Sequence, residues 1–589
     1  MTALEKDVVT EPGPAVEPRG RLAALAPYAT ALRAAGGLLT VIGAYLPWAT
    51  FVLNEGPYPE KATLEFFTAP FGVSGFRLHL LVFGIVALVL AFVRTLPSRG
   101  RILRALGWGI VAVTVANGLY LTVLGGGFGA ITAADGAVAF GAIVALIGGA
   151  LVLVGAFAGG LGEQLRWGRP LGRYAEWAIL LVVFTLLLLL VAAVLTSGGQ
   201  GSVANPYSGA VFLSFLGAVG GLLAALHAAG VLTWVTAMSE RHRAFSAIVL
   251  LVVALALPLT GAGTQYWMTV AANIGVYAAT AIGLNIVVGL AGLLDLGYVA
   301  FLGIGAVVAA NFSGATAARF DIVLPFPLVM VISAVVAGIF GAIVGSPTLR
   351  VRGDYLAIVT LAFGEIFVRS SQNNIGGLTG GSNAIPGIPP VSAFGQAFNE
   401  KLTVGSVELP AGALYYFLIV VIVAAVMAVF GNLKNSRLGR AWIAIREDED
   451  AARAMGIRTG PVKILAFMIG ATLAGLAGAF FAHKTGTVSY ESFRFLESVT
   501  LLAAVILGGM GTIPGAVLGA SILFVLPEKL REFSDYRLLI FGIALVLIMR
   551  FRPQGLVPDS HRRAELAPEA EPPPPDPGTG TATGKVAVQ

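Results

Sequence analysis

Side chains that could act as nucleophiles or metal ligands are scarce in this sequence. It contains no cysteine, which excludes disulfides, thiol nucleophiles and thiolate metal sites. Its five histidines are dispersed along the chain, and no two of them have the spacing of a metal-binding pair. We therefore predict no catalytic residue, no metal site and no cofactor.

Four polar side chains instead interrupt apolar runs, where an unpaired charge is costly. They are Asn285, Asp295, Glu365 and Arg369. Such groups usually face the interior of a helix bundle, so we treat them as candidates for a substrate path or for gating. Glu365 and Arg369 stand four residues apart, and an internal ion pair explains them equally well. Asp295 lies between two glycines, which fits a break in a helix, although a position at the lipid headgroups fits nearly as well.

The elements that carry these residues are predicted to be membrane helices. The chain has 589 residues, of which 57% are apolar and 12% charged, and its mean hydropathy is +0.87. Soluble globular proteins are much less apolar. Stretches of the roughly 20 apolar residues that a bilayer core requires recur along most of the chain. We predict an all-α fold, a polytopic transmembrane helical bundle of about sixteen spans, some of them short or broken.

The distribution of basic residues predicts the topology. The net charge is +6, and the arginines cluster in alternate loops, for example around Arg99, Arg241 and Arg350. By the positive-inside rule these loops face the cytoplasm, which also places both termini there. The positive charge therefore indicates topology and not nucleic-acid binding. We predict a multi-pass protein of the cytoplasmic membrane, surrounded by membrane lipid.

A change in composition near Arg241 and Arg243 divides the chain. The predicted parts are a cytoplasmic N-terminal tail at 1–33, a six-helix membrane extension at 34–240, a transport domain at 245–558 and a disordered cytoplasmic tail at 559–589. The last part is rich in proline, glycine and threonine and cannot bury a core.

One charged segment between two predicted spans has an amphipathic pattern. It is SRLGRAWIAIREDEDAARAMGI at 436–457. If residues 447–455 form a short helix, Ala451, Ala452 and Met455 share one arc. The charged side chains of Arg446, Glu449 and Arg453 then lie roughly opposite. A small apolar face fits deeply into a partner's groove, and Gly456 allows a sharp turn at its end. A solvated, charge-rich loop is the alternative, and the segment taken alone favours it.

This segment resembles the Glu-Ala-Ala coupling loop of permease subunits of ATP-binding-cassette (ABC) importers. Other motifs are similar, in the same order, to those of the M-type permease subunit of branched-chain amino-acid importers. They are GLNIVVGLAGLLDLGYVAFLGIGA at 283–306, RGDYLAIVTLAFGEIFVR at 352–369, LTGGSNAIPGIPP at 378–390, ESFRFLES at 491–498 and LGGMGTIPGAVLGA at 507–520. The resemblance covers roughly residues 245–558, which makes the coupling interpretation the stronger one.

The resemblance implies a permease subunit that translocates branched-chain amino acids, or related small polar solutes such as urea or short amides. It also implies three kinds of partner: a second permease that forms a heterodimer, cytoplasmic ABC ATPase subunits, and an extracytoplasmic solute-binding protein. ATP hydrolysis would belong to those ATPases, so the chain itself is not expected to be an enzyme. The family usually consists of the second half alone, and we interpret the extension at 34–240 as a helical scaffold.

The family's coupling role maps onto residues of the charged segment. The residues that would transmit ATPase closure are Glu447, Asp448, Ala451, Ala452 and Gly456. This sequence departs from the motif, because Asp450 separates Glu449 from the two alanines, and the docking register stays open.

An ion-gradient-driven secondary transporter of small solutes is the alternative function. Many helices and acidic residues in the membrane would serve it too. It would require essential protonatable groups and no ATPase. A membrane-embedded enzyme is less well supported, because it would need a polar catalytic cluster near the membrane interface and the sequence shows none.

Overall fold

The structure is a computed structural model of the chain. It describes residues 20–48, 76–124, 127–129, 133–134, 137–138, 140–162, 171–196, 208–349, 354–529, 539, 542–543, 546, 550 and 555–557, apart from 94, 321, 394, 405 and 406. The predicted tail at 559–589 and most of the predicted tail at 1–33 lie outside these residues. From Gly20 the chain is already helical, since a 3-10 helix at Gly20–Tyr28 leads into the first α-helix.

Eight α-helices precede residue 260 in the described part of the chain. They are α1 (Ala29–Tyr45), α2 (Phe76–Phe92), α3 (Arg99–Leu124), α4 (Gly141–Ala158), α5 (Arg173–Thr196), α6 (Ser208–Ala228), α7 (Val231–Arg241) and α8 (Arg243–Leu255). The apolar run that carries α6 and α7 is continuous in sequence, but the two helices meet at an angle of 75°. Gly230 causes this bend, because its φ of 77° is left-handed and ends the first helix.

Ten further α-helices follow within the described residues. They are α9 (Gln265–Asn285), α10 (Val299–Asn311), α11 (Phe326–Gly345), α12 (Asp354–Gln372), α13 (Ala413–Lys434), α14 (Arg437–Glu447), α15 (Glu449–Ala454), α16 (Thr459–Thr485), α17 (Phe495–Gly508) and α18 (Ile513–Lys529). A π-helix at Ile286–Leu290 continues α9 directly. The chain between Leu290 and Val299 is not helical, so the predicted break around Asp295 is confirmed.

Short antiparallel strand pairs lie in the connections between helices. β1 (Ala133–Ala134) pairs with β2 (Ala137–Val138), β3 (Ile385–Pro386) with β8 (Thr487–Val488), β4 (Ser392–Ala393) with β5 (Gln396–Ala397), and β6 (Leu402–Val404) with β7 (Val407–Leu409). The pair β3–β8 ties the long connection between α12 and α13 to the end of α16, with Ile385 opposite Val488.

The predominantly helical fold is confirmed, with eight helices in the described residues that are long and apolar enough to cross a membrane, or nine if the bent α6–α7 pair is one span. Other apolar helices are shorter. The 13 residues of α10, for example, extend only about 20 Å at 1.5 Å per residue. Short and broken helices thus occur as expected, while the count of about sixteen spans stays a prediction.

Helix α16 lies at the centre of the second half, packed against α9, α10 and α11. Its contacts depend on small residues, which let helix backbones approach each other closely. A Cβ atom added at Gly478 would lie 2.1 Å from the carbonyl oxygen of Leu302 in α10. One added at Gly305 of α10 would lie 2.3 Å from the carbonyl oxygen of Gly475. Glycine is therefore required on both sides of this crossing.

We expect Gly478→Val to lower the free energy of unfolding by about 2 kcal/mol, because two backbones would have to separate. Gly220→Val is the matched control: Gly220 lies within α6, and no atom stands within 4 Å of its added Cβ. An SDS titration of both variants in detergent micelles, monitored by far-ultraviolet circular dichroism, measures the difference. Equal losses in the two variants would mean that the α10–α16 approach is not tight.

A second core lies in the first half of the chain. There α1 packs against α2 and α4, and α3 packs against α6. Arg33, which is 1% exposed, donates from Nε to the carbonyl oxygen of Gly155 at 2.8 Å. The two halves also contact each other: Tyr416 of α13 donates to the carbonyl oxygen of Ala254 at 2.7 Å, and Lys529 donates to that of Leu195 at 2.5 Å. Helix α8 therefore packs against α13, and α5 packs against α18.

Candidate functional site

The predicted coupling segment folds as two consecutive helices, α14 and α15, with a corner at Asp448. Ser436 caps α14 through a hydrogen bond from the Gly439 N–H to its hydroxyl at 3.2 Å. Asp448 is extended and caps α15, its carboxylate accepting from the N–H groups of Asp450 and Ala451, both at 2.9 Å. The expectation of one short helix from residue 447 is corrected: Glu447 ends α14, and the cap at Asp448 starts a new helix.

The small apolar face of α15 is divided between the protein and its surroundings. Ala452 is 5% exposed and packs inward, whereas Ala451 is exposed and Met455 is 84% exposed. The expectation that all three residues form one face for a partner is therefore wrong for Ala452. Gly456 follows with a left-handed φ of 87°, which confirms the predicted sharp turn.

Polar contacts hold this segment against the start of α16. Lys463, which is 4% exposed, donates to the Glu449 carboxylate at 2.5 Å, and Arg453 donates to the same carboxylate at 3.1 Å. The buried indole of Trp442 donates to the carbonyl oxygen of Val462 at 2.7 Å. Because these bonds join both helices to the first turns of α16, the segment and α16 can move together.

A further contact joins the segment to the broken helix at α9. Arg446 donates from Nη1 to the carbonyl oxygen of Gly289, in the π-helix, at 2.9 Å, and its other nitrogens bond the Glu447 carboxylate. A π-helix leaves carbonyl groups without their usual α-helical donors. A Cβ atom at Gly292 would lie 2.5 Å from the Arg446 side chain, so a glycine is needed where the arginine passes.

Asn285 connects the same π-helix to the turn between α17 and α18. The side chain is fully buried; its Nδ2 donates to the carbonyl oxygen of Thr512 at 2.9 Å, and its Oδ1 accepts from the Gly511 N–H at 2.7 Å. Gly289 leaves room for this bond, since a Cβ there would lie 1.9 Å from Oδ1. Lys434 of α13 donates to the Gly511 carbonyl oxygen at 2.8 Å.

These contacts define one site, which we call the junction: Asn285, Gly289, Lys434, Arg446, Gly511 and Thr512. It joins four backbone elements, namely α9 with its π-helix, the coupling segment, the end of α13 and the α17–α18 turn. Each bond is to a backbone group, so displacement of one element shifts the backbone of another. The arrangement suits transmission of movement, and it contains no nucleophile or acid–base pair.

Asp295 lies in the non-helical stretch next to the junction. It is 1% exposed, and its Oδ1 accepts from the Gly297 N–H at 2.9 Å. This bond closes a local turn that presses Gly297 against the carbonyl oxygen of Thr360 in α12, where a Cβ would stand at 1.9 Å. Asp295 therefore shapes the break in the helix.

Of the two candidates on α12, Arg369 is exposed and Glu365 is partly buried. The possible ion pair between them is not formed: neither residue has an ion-pair partner among the described residues, and Arg369 donates to Gln372 at 3.1 Å. Exposed residues follow one stripe of α12, from Tyr355 through Ile358 and Ile366 to Arg369. The structure thus does not bring all four polar candidates together, and only Asn285 belongs to the junction.

Comparison with known proteins agrees with the sequence motifs. The family model described as branched-chain amino acid transport system / permease component matches residues 266–549. The high-affinity branched-chain amino acid transport system permease protein LivM of Escherichia coli (strain K12) is 40% identical over 332 residues, covering 54% of this chain and 76% of that protein. The chain belongs to this permease family.

Two further relatives extend the comparison. LivM of Salmonella typhimurium is 39% identical over 330 residues, covering 54% of this chain and 75% of the relative. LivH of the same organism, also named as a branched-chain amino acid transport permease, is 26% identical over 301 residues, covering 48% of this chain and 91% of the relative. No solved structure matches. Family membership and the apolar helices make the protein a multi-pass protein of the cytoplasmic membrane.

Several junction residues escaped sequence reasoning. Arg446 was expected on the polar face of the coupling helix, but its side chain reaches the π-helix instead. Gly511, within the motif at 507–520, supplies both a donor and an acceptor to the junction. The only signal in the sequence was Asn285 inside an apolar run. It did not identify its partner Gly511, which lies 226 residues later.

Proposed function

We propose that this chain is a transmembrane permease subunit of an ABC importer that translocates branched-chain amino acids. One observation carries the proposal: an exposed apolar face, formed by Ala451 of α15 and by Met455 directly after that helix, belongs to a segment hydrogen-bonded to α16 and to the junction. A partner that docks on Ala451 and Met455 would thereby push on the π-helix and the α17–α18 turn. A secondary transporter would have no use for such a linkage.

The proposal includes the partners that the family implies. LivM and LivH are both relatives of this chain and both are named as permeases of the same transport system, which supports a heterodimer of two related permeases. Separate ATPase subunits would dock on the coupling segment, and a solute-binding protein would deliver substrate to the opposite side. Among the five proposed coupling residues, Ala452 supports the segment from within, and the other four are exposed: Glu447, Asp448, Ala451 and Gly456.

The topology and the domain division belong to the same proposal. With both termini in the cytoplasm and about sixteen spans, the coupling segment faces the ATPase and the long connection between α12 and α13 faces outward. Residues 245–558 would form the permease domain. The extension at 34–240 would act as a scaffold, supported by its contact with α18, where Lys529 donates to the carbonyl oxygen of Leu195.

We expect Ala451→Arg to reduce ATP-dependent uptake of labelled leucine by about tenfold, because a long charged side chain would separate the exposed face from its partner's groove. The assay uses vesicles that carry the chain with its second permease, ATPases and binding protein. Asn432→Arg is the matched control, since it adds the same side chain at an exposed position of α13 outside the segment. Ala452→Arg is less informative, because Ala452 is buried and its replacement would disturb folding.

The two candidate functions give opposite results in this assay. An importer takes up leucine only with ATP and loses uptake in the Ala451 variant while the complex remains in the membrane. Uptake that continues without the ATPases and follows a proton or sodium gradient would establish the secondary transporter instead.

A further inference from the structure

A cavity opens at the end of the bundle opposite the coupling segment. It has a volume of about 450 Å³ and lies between the first turns of α9, the start of α13 and the last turn of α16. Residues that line it include Met268, Asn273, Asn399, Tyr415, Phe481 and Lys484. The coupling segment lies at the other end of α16, so this cavity lies at the end predicted to face outward.

Lys484 places a positive charge in the wall of this cavity. Its Nζ donates to the Oδ1 of Asn273 and, at 3.2 Å, to the carbonyl oxygen of Thr269. Both acceptors are neutral, and in the described part of the chain no Asp or Glu lies within ion-pair distance of Lys484. An ammonium group has three N–H donors, so these two bonds leave one donor and the whole charge for another partner.

Asn273 adds donors beside that charge. Because an ammonium group can only donate, the amide oxygen of Asn273 must face Lys484, and its NH₂ group therefore points away from it. That group has no acceptor among the described residues. One N–H of Lys484 and the amide N–H groups of Asn273 thus lie at one wall of the cavity without an acceptor. A carboxylate would supply the acceptor lone pairs and the negative charge that balances the lysine.

The other walls are mainly apolar or already satisfied. Met268 and Phe481 present apolar surface. The Tyr415 hydroxyl accepts from the Val391 N–H at 2.9 Å and donates to the carbonyl oxygen of His483 at 2.9 Å, so it forms a wall and not a polar contact for a ligand. A cavity with one charged corner and apolar walls suits a small molecule with a carboxylate and an aliphatic side chain.

We propose that this cavity binds the carboxylate of the transported amino acid, with Lys484 and Asn273 as its ligands. The inference rests on the proposed function and narrows its substrate class. Urea and short amides carry no negative charge and would leave Lys484 uncompensated, so the cavity favours amino acids over these solutes. An anionic lipid headgroup would offer the same oxygen atoms, and the experiment must separate it from a free solute.

The test measures leucine uptake and ATP hydrolysis in the same vesicles, with the complete complex. We expect Lys484→Gln to lower the initial rate of uptake about tenfold, the effect of losing one charge-assisted hydrogen bond, while binding-protein-stimulated ATP hydrolysis continues. Transport per ATP therefore falls. Lys484→Arg should restore much of the rate, since it keeps the charge. Lys401→Gln is the matched control, because it removes an exposed lysine outside the cavity lining.

Three results would overturn the inference. Uptake that is unchanged in Lys484→Gln would exclude the cavity from the path, and if that uptake still requires ATP the importer function stands without it. A defect that appears only in vesicles with phosphatidylglycerol, and is absent in pure phosphatidylcholine, would assign the site to a lipid headgroup. A higher concentration of binding protein for half-maximal ATP hydrolysis would mean that Lys484 contributes to docking of the binding protein.

Discussion

Asn285→Leu will lower the free energy of unfolding by about 3 kcal/mol and abolish leucine uptake. Leucine has nearly the same size but removes both bonds of the amide, which leaves the buried Gly511 N–H without its acceptor and the Thr512 carbonyl oxygen with only the bond from the Ala516 N–H, at 3.3 Å. Each unsatisfied buried group costs roughly 1–3 kcal/mol. An SDS titration of the purified protein and an uptake assay in vesicles measure the two effects.

Asn435→Leu provides the control for this substitution. Asn435 makes one bond, from Nδ2 to the Gly431 carbonyl oxygen at 3.0 Å, at an exposed position that water can occupy instead. We expect its loss to change the free energy of unfolding by less than about 1 kcal/mol. If both asparagine variants were equally stable, the bonds of Asn285 would not hold the α17–α18 turn. Movement of the π-helix would then not be transmitted to that turn through Asn285.

The helical elements were predictable because lipid permits little else. Backbone groups in a bilayer must be satisfied within the helix, so apolar runs become helices whatever their detailed sequence. The break around Asp295 was also predictable, since glycines flank an acidic residue there. The bend at Gly230 was not, because glycine is common within membrane helices and only the backbone geometry shows which one adopts a left-handed φ.

The candidate site was only partly predictable, because its contacts join distant parts of the chain. Helical periodicity placed Ala451 and Ala452 on the same arc, but it could not show which alanine faces α16, and the structure buries only Ala452. The spacing of Glu365 and Arg369 allowed an ion pair that the structure does not form. The sequence did not predict a role for Lys484, since its partner Asn273 lies 211 residues earlier.

Arg446→Ala will uncouple ATP hydrolysis from transport. The substitution removes the bond to Gly289, by which the coupling segment holds the π-helix directly, but leaves the exposed face of α15 in place for a partner. Since Trp442 and Lys463 still attach the segment to α16, the protein should fold and assemble. We expect leucine uptake to fall about tenfold, which corresponds to one charge-assisted hydrogen bond, while ATP hydrolysis continues.

The control for Arg446 lies on the same helix. Arg440 is exposed and donates only locally, to the carbonyl oxygen of Asn435 at 3.1 Å, so Arg440→Ala should leave the ratio of leucine to ATP unchanged. Arg446→Lys distinguishes charge from geometry, because a lysine cannot bond Gly289 and Glu447 with separate nitrogens of one planar group. If the lysine variant had the same ratio of leucine to ATP as the wild type, a positive charge at position 446 would be sufficient for coupling. If the alanine variant lost ATP hydrolysis together with uptake, Arg446 would act in ATPase docking and not in transmission to the π-helix.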